Sequence, residues 1–251
     1  MESRPPGDLM ERRFLSWHSP ALNREMTLAT WGHYGKPVVL FATAASDALD
    51  YERFKLIHVL RPLVEAGRIK VYSLPSVAGE GWLDPHAHPA HKTWLQSRYD
   101  QYLLEEAFPA IAGDCAGYRS FVTAGASIGA YNAVTAMLKH PDWVELAIGM
   151  SGTYDFDRWV GDYRDGDYYF NQPLYFVPNL PEGDQLNLLR TRRVVLASGQ
   201  GRAEAPWESE RMAQVLGSKG IPHHLEIWGH DVHHDWPTWR SMLPLFLDKL
   251  V

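Results

Sequence analysis

The sequence predicts an α/β fold in which a mostly parallel central sheet carries helices on both of its faces. Short apolar segments alternate with segments of helical periodicity along most of the chain. Strands that alternate with helices pair in parallel through right-handed crossovers, and these crossovers place helices on both faces of the sheet. The length of 251 residues fits one large domain, and the sequence shows no internal repeat, low-complexity segment or linker. We therefore expect residues 1–251 to form a single domain.

Eight apolar segments have the length and composition of strands. Asn23 lies in the turn between the first two, and the third follows Pro37 and has the wholly apolar character of a buried strand. In chain order the predicted strands are Arg13–Trp17, Met26–Trp31, Val38–Phe41, Ile69–Leu74, Tyr118–Ala124, Val144–Met150, Arg193–Ala197 and His224–Trp228.

Five further segments are predicted helices. Gly67 is placed to end the first of them, and Pro109 lies near the end of the second. In chain order they are Asp50–Ala66, Trp94–Ile111, Ile128–Lys139, Trp207–Lys219 and Pro237–Leu250. The segment Tyr154–Leu189 is rich in Asp, Tyr, Phe, Asn and Pro and breaks the alternation. We interpret it as a cap-like insertion over one end of the sheet.

Composition and charge exclude several classes of function. The chain has 24 basic and 30 acidic residues, a formal net charge of −6, and no basic stripe that would neutralise nucleic-acid phosphates. Its single cysteine, Cys115, rules out an internal disulfide and a cysteine-rich zinc module. Residues 1–8 lack the apolar core of a secretory signal, and no apolar run has the length of a membrane span. We therefore expect a cytoplasmic protein, and the sequence predicts no oligomeric state.

The pattern Gly125-Ala126-Ser127-Ile128-Gly129 lies between a predicted strand and a predicted helix. This context is the one that a G-x-S-x-G nucleophile elbow requires, because the tight turn lifts the serine hydroxyl off the end of the sheet. The alternative is a glycine-rich turn in which the serine only caps the helix. A serine hydroxyl becomes a good nucleophile when a neighbouring base takes its proton. The pattern therefore predicts Ser127 as a nucleophile, with an acid and a histidine later in the chain.

The acid is expected after the strand Arg193–Ala197, where the chain offers glutamates and no aspartate. Glu204 lies in the loop before the next helix and is the preferred candidate. Glu208 lies inside that helix, where a solvated carboxylate of the first turn is the simpler interpretation. Asp155, after the preceding strand, is the other alternative, although it also suits a turn.

The base is expected after the last strand, where three histidines compete. His234 lies just before the final helix, whose start is marked by Pro237, and this position suits a base held over the serine. His230 follows the strand too closely to reach back easily to Ser127, and His233 ranks last. We therefore predict His234 as the base and keep His230 as its rival.

These features resemble the esterase D-like ("Putative esterase") branch of the α/β-hydrolase superfamily, which includes mycolyltransferases and feruloyl esterases. The resemblance rests on the opening Ser19–Met26, the elbow Gly125–Gly129, the pair Ser151-Gly152, and the ending His234-Asp235-Trp236-Pro237-Thr238-Trp239, and it covers roughly residues 14–250. It implies an α/β-hydrolase fold and a serine carboxylesterase that works through an acyl-enzyme. It also assigns the role of base to His234, because that histidine is catalytic in the family's H-D-W-x-x-W ending.

The chain departs from the family pattern in two places. Gly199–Glu204 replaces the usual G-x-x-D acid loop, and Phe41–Ala45 replaces the usual His-Gly ending of the strand that supplies an oxyanion donor. By position, the backbone N–H groups of Ile128 and of the Thr43–Ala44 turn are expected to hold the oxyanion. Glu204 would then orient His234 as it takes the Ser127 proton.

Aromatic residues of the insertion either line a cleft above the serine or fix the insertion to the body; they are Tyr154, Trp159, Tyr168, Tyr169, Phe170, Tyr175 and Phe176. A second histidine cluster, His86, His88 and His91, resembles a metal motif but lacks an acid within it. We therefore expect no metal and no cofactor, and a small-molecule ester as substrate. The alternatives are an acyltransferase with the same triad or a non-enzymatic binding relative of the fold.

Overall fold

The computed structural model describes residues 10–251, and the interpretation of residues 1–8 lies outside them. Its centre is a sheet of eight strands. They are β1 (Arg12–Ser19), β2 (Arg24–Trp31), β3 (Lys36–Phe41), β4 (Ile69–Leu74), β5 (Phe121–Ala126), β6 (Val144–Met150), β7 (Arg193–Ser198) and β8 (His223–Ile227). Each predicted strand is confirmed, with ends that shift by three residues or fewer.

The strands lie in the order β1-β2-β4-β3-β5-β6-β7-β8. β1 pairs antiparallel with β2, and β2 antiparallel with β4. All the remaining pairs, from β4 through β3 to β8, are parallel. This confirms the predicted fold class, a mostly parallel sheet. It also brings the carboxyl ends of six strands to one edge, where loops of an open α/β sheet form binding sites.

Helices cover both faces of the sheet. They are α1 (Asp50–Arg53), α2 (Leu56–Val59), α3 (Arg61–Glu65), α4 (Pro89–Tyr102), α5 (Phe108–Asp114), α6 (Ile128–Lys139), α7 (Asp157–Val160), α8 (Gly166–Asn171), α9 (Pro173–Phe176), α10 (Asp184–Leu189), α11 (Pro206–Ser218) and α12 (Trp236–Leu250). A π-helical segment, Leu103–Ala107, joins α4 to α5, and a 3₁₀ segment, Val177–Asn179, follows α9. One apolar layer lies between the sheet and α4–α6 and α11, and the other lies against α1–α3 and α12. No helix within residues 10–251 combines the length and apolarity needed to cross a bilayer.

The predicted helix Asp50–Ala66 is wrong as a single element. Lys55 has a left-handed backbone (φ 62°), which ends α1, and Pro62 lies in the first turn of α3. A left-handed residue cannot continue a right-handed helix, and proline is favoured where a new helix starts. Most apolar residues of this segment are buried all the same, Phe54 being the exposed exception, so their spacing reports burial rather than an unbroken helix.

The predicted helix Trp94–Ile111 begins earlier than expected and contains a π-helical turn. His88 caps α4, since its Nδ1 accepts the N–H of Ala90 at 3.2 Å. Within the π segment, Glu106 accepts hydrogen bonds from Trp17 Nε1 at 2.7 Å and Ser19 Oγ at 2.9 Å. The π segment thus carries a carboxylate that fixes the first hairpin to the body.

The segment between β6 and β7 folds into short helices that pack against α4 and α11. Tyr154, Tyr168 and Phe176 are buried, while Tyr169 and Phe170 are exposed. The hydroxyl of Tyr175 donates to Asp157 at 2.8 Å, and that of Tyr168 donates to the same carboxylate. These hydrogen bonds hold the insertion together internally. The burial of Tyr154, Tyr168 and Phe176 in the apolar layer beside α4, α6 and α11 favours the interpretation in which the aromatic residues fix the insertion to the body.

Candidate active site

Ser127 occupies a strained turn between β5 and α6. Its backbone has φ 57° and ψ −124°, a conformation that non-glycine residues rarely adopt. The turn is held by the N–H of Ser127, which donates to the Met150 carbonyl at 2.9 Å, and by its carbonyl, which accepts from the Ala130 N–H at 3.1 Å. Such strain persists only where the surrounding structure imposes it, and it concentrates at functional sites.

Two glycines make this turn possible. A Cβ on Gly125 would lie 2.2 Å from the carbonyl carbon and oxygen of Gly129. A Cβ on Gly129 would lie 2.2 Å from the Phe41 carbonyl oxygen. Because both contacts are with backbone, no side-chain rotation relieves them. The two flanking glycines of the motif are therefore required by the close approach of β5, α6 and β3.

Glu204 lies in the loop between β7 and α11, with its side chain fully buried. Oε1 accepts from the Ser151 hydroxyl at 2.6 Å, and Oε2 accepts from the Ser198 hydroxyl at 2.8 Å. Oε2 also lies 4.0 Å from His234 Nδ1. A buried carboxylate needs such donors, because burial without them disfavours its charge. The structure thus brings together the preferred acid and the preferred base.

His234 lies in the loop just before α12. Its backbone N–H donates to the Arg202 carbonyl at 3.1 Å, and its ring meets Trp239 edge-to-face with 5.2 Å between centroids. The pKa of His234 lies below its ordinary value of 6.5, because burial disfavours the imidazolium more than the Glu204 and Asp235 carboxylates favour it. The imidazole is therefore neutral at pH 7, which is the state that a general base needs.

The rival residues lie in other arrangements. Asp155 forms an ion pair with Arg211, and Glu208 accepts the backbone N–H of Tyr154 at 2.9 Å and that of Asp155 at 2.8 Å. Both carboxylates thus support the chain that follows β6. His230 is exposed. His233 Nδ1 accepts the backbone N–H of Arg202 at 3.0 Å, so this ring supports the acid loop.

The turn after β3 is organised by the buried carboxylate of Asp50. It accepts the Thr43 N–H at 2.9 Å, the Thr43 hydroxyl at 2.8 Å and the Ser46 hydroxyl at 2.7 Å. The expectation that the Thr43 N–H holds the oxyanion conflicts with this contact, because that amide already donates to Asp50. Ala44 follows at the exposed tip of the turn with φ 41°. Ile128, the other expected donor, is the first residue of α6.

Sequence reasoning gave no role to several residues that build the site. Ser151 and Trp239 belong to patterns quoted for the family resemblance, but nothing in those patterns indicates that Trp239 Nε1 donates to Ser151 Oγ at 2.9 Å. The available signal was positional, since Ser151 directly follows β6 and Ser198 ends β7. Polar residues at the carboxyl ends of buried parallel strands face the functional edge of the sheet.

The second histidine cluster belongs to the start of α4. His88 is the N-cap described above, His91 packs beside Trp94 with ring centroids 5.6 Å apart, and His86 is exposed. Within residues 10–251, no group of three or more His, Cys, Asp or Glu side chains has the geometry to hold a metal ion.

Comparisons with known proteins identify the family and the fold of the chain. A sequence model described as "Putative esterase" matches residues 19–249. No curated protein sequence matches the chain. An S-formylglutathione hydrolase from Agrobacterium tumefaciens is structurally similar, with a TM-score of 0.71 at 15% identity, covering 98% of this chain and 96% of that one.

Two further solved structures cover almost the same span. A ferulic acid esterase has a TM-score of 0.69 at 18% identity, with 96% of this chain and 99% of that chain covered. MPT51 from Mycobacterium tuberculosis has a TM-score of 0.65 at 18% identity, with 96% and 97% covered. At such low identity these likenesses establish a shared fold over nearly the whole chain.

Proposed function

The chain belongs to the "Putative esterase" family and is a carboxylic ester hydrolase with the α/β-hydrolase fold, and within this frame we propose that Ser127, His234 and Glu204 are its catalytic triad. The observation that carries the assignment is the buried Glu204 carboxylate, whose Oε2 lies 4.0 Å from His234 Nδ1. Catalytic hydrogen bonds are often long before substrate binds, and this one is expected to shorten in the reacting complex.

In the proposed reaction His234 takes the Ser127 hydroxyl proton as Oγ attacks the ester carbonyl carbon. A C–O bond forms, and the carbonyl π electrons move onto oxygen. When this tetrahedral intermediate collapses, the bond to the leaving alcohol breaks, and His234 gives that alcohol its proton. Water, deprotonated by the same imidazole, then attacks the acyl-enzyme and releases the acid and Ser127. Throughout, Glu204 stabilises the imidazolium and fixes its orientation.

The oxyanion is held in this proposal by the backbone N–H groups of Ile128 and Ala44. The Asp50 contacts support Ala44 over Thr43, because they occupy the Thr43 amide and fix the turn that presents its neighbour. Removing one oxyanion donor from a serine hydrolase costs about 2.7–4 kcal/mol of transition-state stabilisation. The conformation of the Thr43–Ala44 turn is therefore expected to change the rate by about 10²–10³-fold.

The remaining parts of the proposal concern context. We propose a small-molecule ester as substrate, with no cofactor, hydrolysed by a single domain that carries the segment 154–189 beside its site. The net charge of −6 supports the absence of a nucleic-acid partner. We also propose a cytoplasmic location, with which a lone Cys115 and hence no internal disulfide is compatible. Acyl transfer to an alcohol uses the same triad and is tested by adding alcohol acceptors to the assay.

The test begins with active-site labelling by a fluorophosphonate. We expect one label on the wild-type chain and none on Ser127→Ala, while Asp155→Asn, a carboxylate variant outside the proposed triad, is labelled at the wild-type rate. A p-nitrophenyl ester series of increasing acyl length then reports turnover, with Glu204→Gln and His234→Ala slowed by factors of about 10³ or more. Labelling that persists in Ser127→Ala, or wild-type turnover in Glu204→Gln, contradicts the triad.

A further inference from the structure

Ser151 connects the proposed acid to a tryptophan of α12. Its hydroxyl oxygen lies 2.6 Å from Glu204 Oε1 and 2.9 Å from Trp239 Nε1. Both Ser151 and Trp239 are buried, as is the Glu204 carboxylate. Trp239, Ser151 and Glu204 therefore form a buried hydrogen-bonded chain, and its Glu204 end lies 4.0 Å from the partly exposed His234 ring.

The chemistry of the groups fixes the direction of these hydrogen bonds. An indole N–H is only a donor, so Trp239 must donate to a lone pair of Ser151 Oγ. An ionised carboxylate only accepts, so the single proton of Ser151 Oγ must point to Glu204. The Ser151 hydroxyl thus has one orientation that satisfies both neighbours.

Ser198 provides an internal comparison. Its hydroxyl donates to Glu204 Oε2 at 2.8 Å, but the Gly199 carbonyl is a second acceptor at 3.3 Å. A hydroxyl with two acceptors can rotate between them. Ser151 is held by Trp239 as a permanent donor, whereas Ser198 is not held in this way.

The backbone of Ser151 shows how firmly this position is imposed. Its φ is 47°, in the left-handed region, and its N–H donates to the Ala197 carbonyl at 2.7 Å. A non-glycine residue in this region costs of order 1–3 kcal/mol and persists only where its surroundings over-determine it. The strained backbone directs the Ser151 hydroxyl toward the loop that carries Glu204.

We propose that Ser151 and Trp239 are positioning residues of the triad, which hold the Glu204 carboxylate in place beside His234. The proposal rests on the triad proposed above. Trp239 acts at two points, because its N–H fixes Ser151 while its ring packs edge-to-face on the His234 imidazole. One side chain of α12 thus orients both the acid and the base. This gives a physical role to the serine of the Ser151-Gly152 pair and to Trp239, the second tryptophan of the chain's ending.

The test compares Ser151→Gly and Trp239→Phe with Ser198→Ala, which removes the other hydroxyl that donates to Glu204. Glycine accepts the positive φ of position 151, so Ser151→Gly removes the hydroxyl without adding backbone strain. Trp239→Phe removes the indole N–H and keeps an aromatic ring. Thermal unfolding identifies any variant that fails to fold. If Ser151→Gly or Trp239→Phe fails to fold, the other one is compared with Ser198→Ala on its own.

We expect kcat/KM on a p-nitrophenyl ester to fall about tenfold in Ser151→Gly, through kcat rather than KM, because a hydrogen bond to a charged group is lost. The kcat/KM of Trp239→Phe should fall by a similar factor. The double variant should be no slower than Ser151→Gly, since the N–H acts only through the hydroxyl. Ser198→Ala should also lose activity, because it removes a hydrogen bond to Glu204, but less than Ser151→Gly, because the Ser198 hydroxyl has a second acceptor and no donor that fixes it. Independent, multiplying effects of the two variants, or a loss in Ser198→Ala that exceeds that in Ser151→Gly, overturn the proposal.

The pH profile separates positioning from a purely structural role. The charged groups facing His234 are the Glu204 and Asp235 carboxylates, and both raise its pKa. A carboxylate released by Ser151→Gly spends less time near the ring, so the acidic limb of kcat/KM should move to lower pH. An unmoved limb with a reduced rate overturns the proposal. If Glu204→Gln retains wild-type activity, the triad itself fails, whereas an inactive Glu204→Gln with a wild-type Ser151→Gly refutes only the positioning role.

Discussion

The turn that presents the proposed oxyanion donor depends on Asp50, and removing this side chain should slow the enzyme more than it unfolds it. The carboxylate is 1% exposed and accepts three hydrogen bonds, two from Thr43 and one from Ser46. Asp50→Ala leaves these donors without an acceptor in a buried space. Each donor left without an acceptor costs about 1–3 kcal/mol. This cost is reduced where water enters or the turn relaxes and the donor regains a hydrogen bond. We expect the free energy of unfolding to fall by about 3 kcal/mol.

The effect on the rate follows from the Ala44 backbone, which the Asp50 contacts hold at φ 41°. A turn that relaxes toward an ordinary backbone conformation withdraws its N–H from the oxyanion. The loss of one such donor lowers kcat about 10²–10³-fold. We therefore expect the kcat of Asp50→Ala on a p-nitrophenyl ester to be lower than that of the wild type by this factor. The measurement is made at a temperature where urea titration shows that the variant is fully folded.

Asp50→Asn is the matched control for this prediction. The Asn carbonyl oxygen can replace Oδ2 and accept both Thr43 donors, while the amide NH₂ donates to Ser46 Oγ, which can also accept. The turn is then kept and only the charge is lost, so we expect a decrease in kcat of about tenfold or less. A folded Asp50→Ala with wild-type kcat, or an Asp50→Asn as slow as Asp50→Ala, refutes the link between this carboxylate and the oxyanion turn.

Three further predictions test the elbow, the rival acid and the base. Gly129→Ala places a Cβ 2.2 Å from the Phe41 carbonyl oxygen and should abolish soluble, active protein. Its control is Gly113→Ala, at an exposed helical position with open space around it, which should fold normally; expression yield and circular dichroism compare the two variants. Asp155→Asn breaks a partly exposed ion pair with Arg211 and should change the free energy of unfolding by about 1 kcal/mol or less, with kcat unchanged. A folded but inactive Asp155→Asn would instead favour Asp155 as the acid of the triad. Because burial lowers the pKa of His234, the acidic limb of the kcat/KM profile should lie below pH 6.5, and activity should be lost only as the pH falls through this lowered pKa. An acidic limb above pH 6.5 contradicts a buried base.

The elbow could be predicted because its constraints are local in the sequence. The strand, the turn and the helix follow one another directly, and the clashes that require Gly125 and Gly129 involve residues of the same motif and of one neighbouring strand. The central strands were predicted for a similar reason, since burial on both faces makes each of them an apolar segment, whereas the edge strands β1 and β8 are largely exposed or half-buried. The spacing of apolar residues did not reveal the breaks at Lys55 and Pro62, because packing against the sheet produces the same spacing in a broken helix.

The acid illustrates what the sequence leaves open. Glu204 and Glu208 are four residues apart, and both are buried carboxylates that accept hydrogen bonds. One receives hydroxyl groups beside His234, and the other receives backbone N–H groups after β6. These partners come from distant parts of the chain, so no local pattern distinguishes the two roles. The same holds for the turn after β3, where Asp50 takes the Thr43 amide.

Strained backbone is concentrated at the edge of the sheet that carries the site. Four non-glycine residues with positive φ follow β3, β5, β6 and β7; they are Ala44 at 41°, Ser127 at 57°, Ser151 at 47° and Ala203 at 62°. Each such residue costs of order 1–3 kcal/mol in isolation. The proposed oxyanion turn, nucleophile, positioning serine and acid loop thus each contain one. Strain of this kind is expected where geometry is selected for chemistry rather than for stability.

The register of the parallel strands explains how this strain is held. Ala126 pairs with Met150, and Met150 pairs with Ala197, so β5, β6 and β7 reach the edge in one row. The N–H of Ser127 then donates to the Met150 carbonyl, and the N–H of Ser151 donates to the Ala197 carbonyl. Ser127 is therefore held by the last carbonyl of β6, and Ser151 by the last but one of β7. A shift of one residue in this register would break both contacts and turn the side chains to the opposite face, so the nucleophile and the support of the acid can form only together.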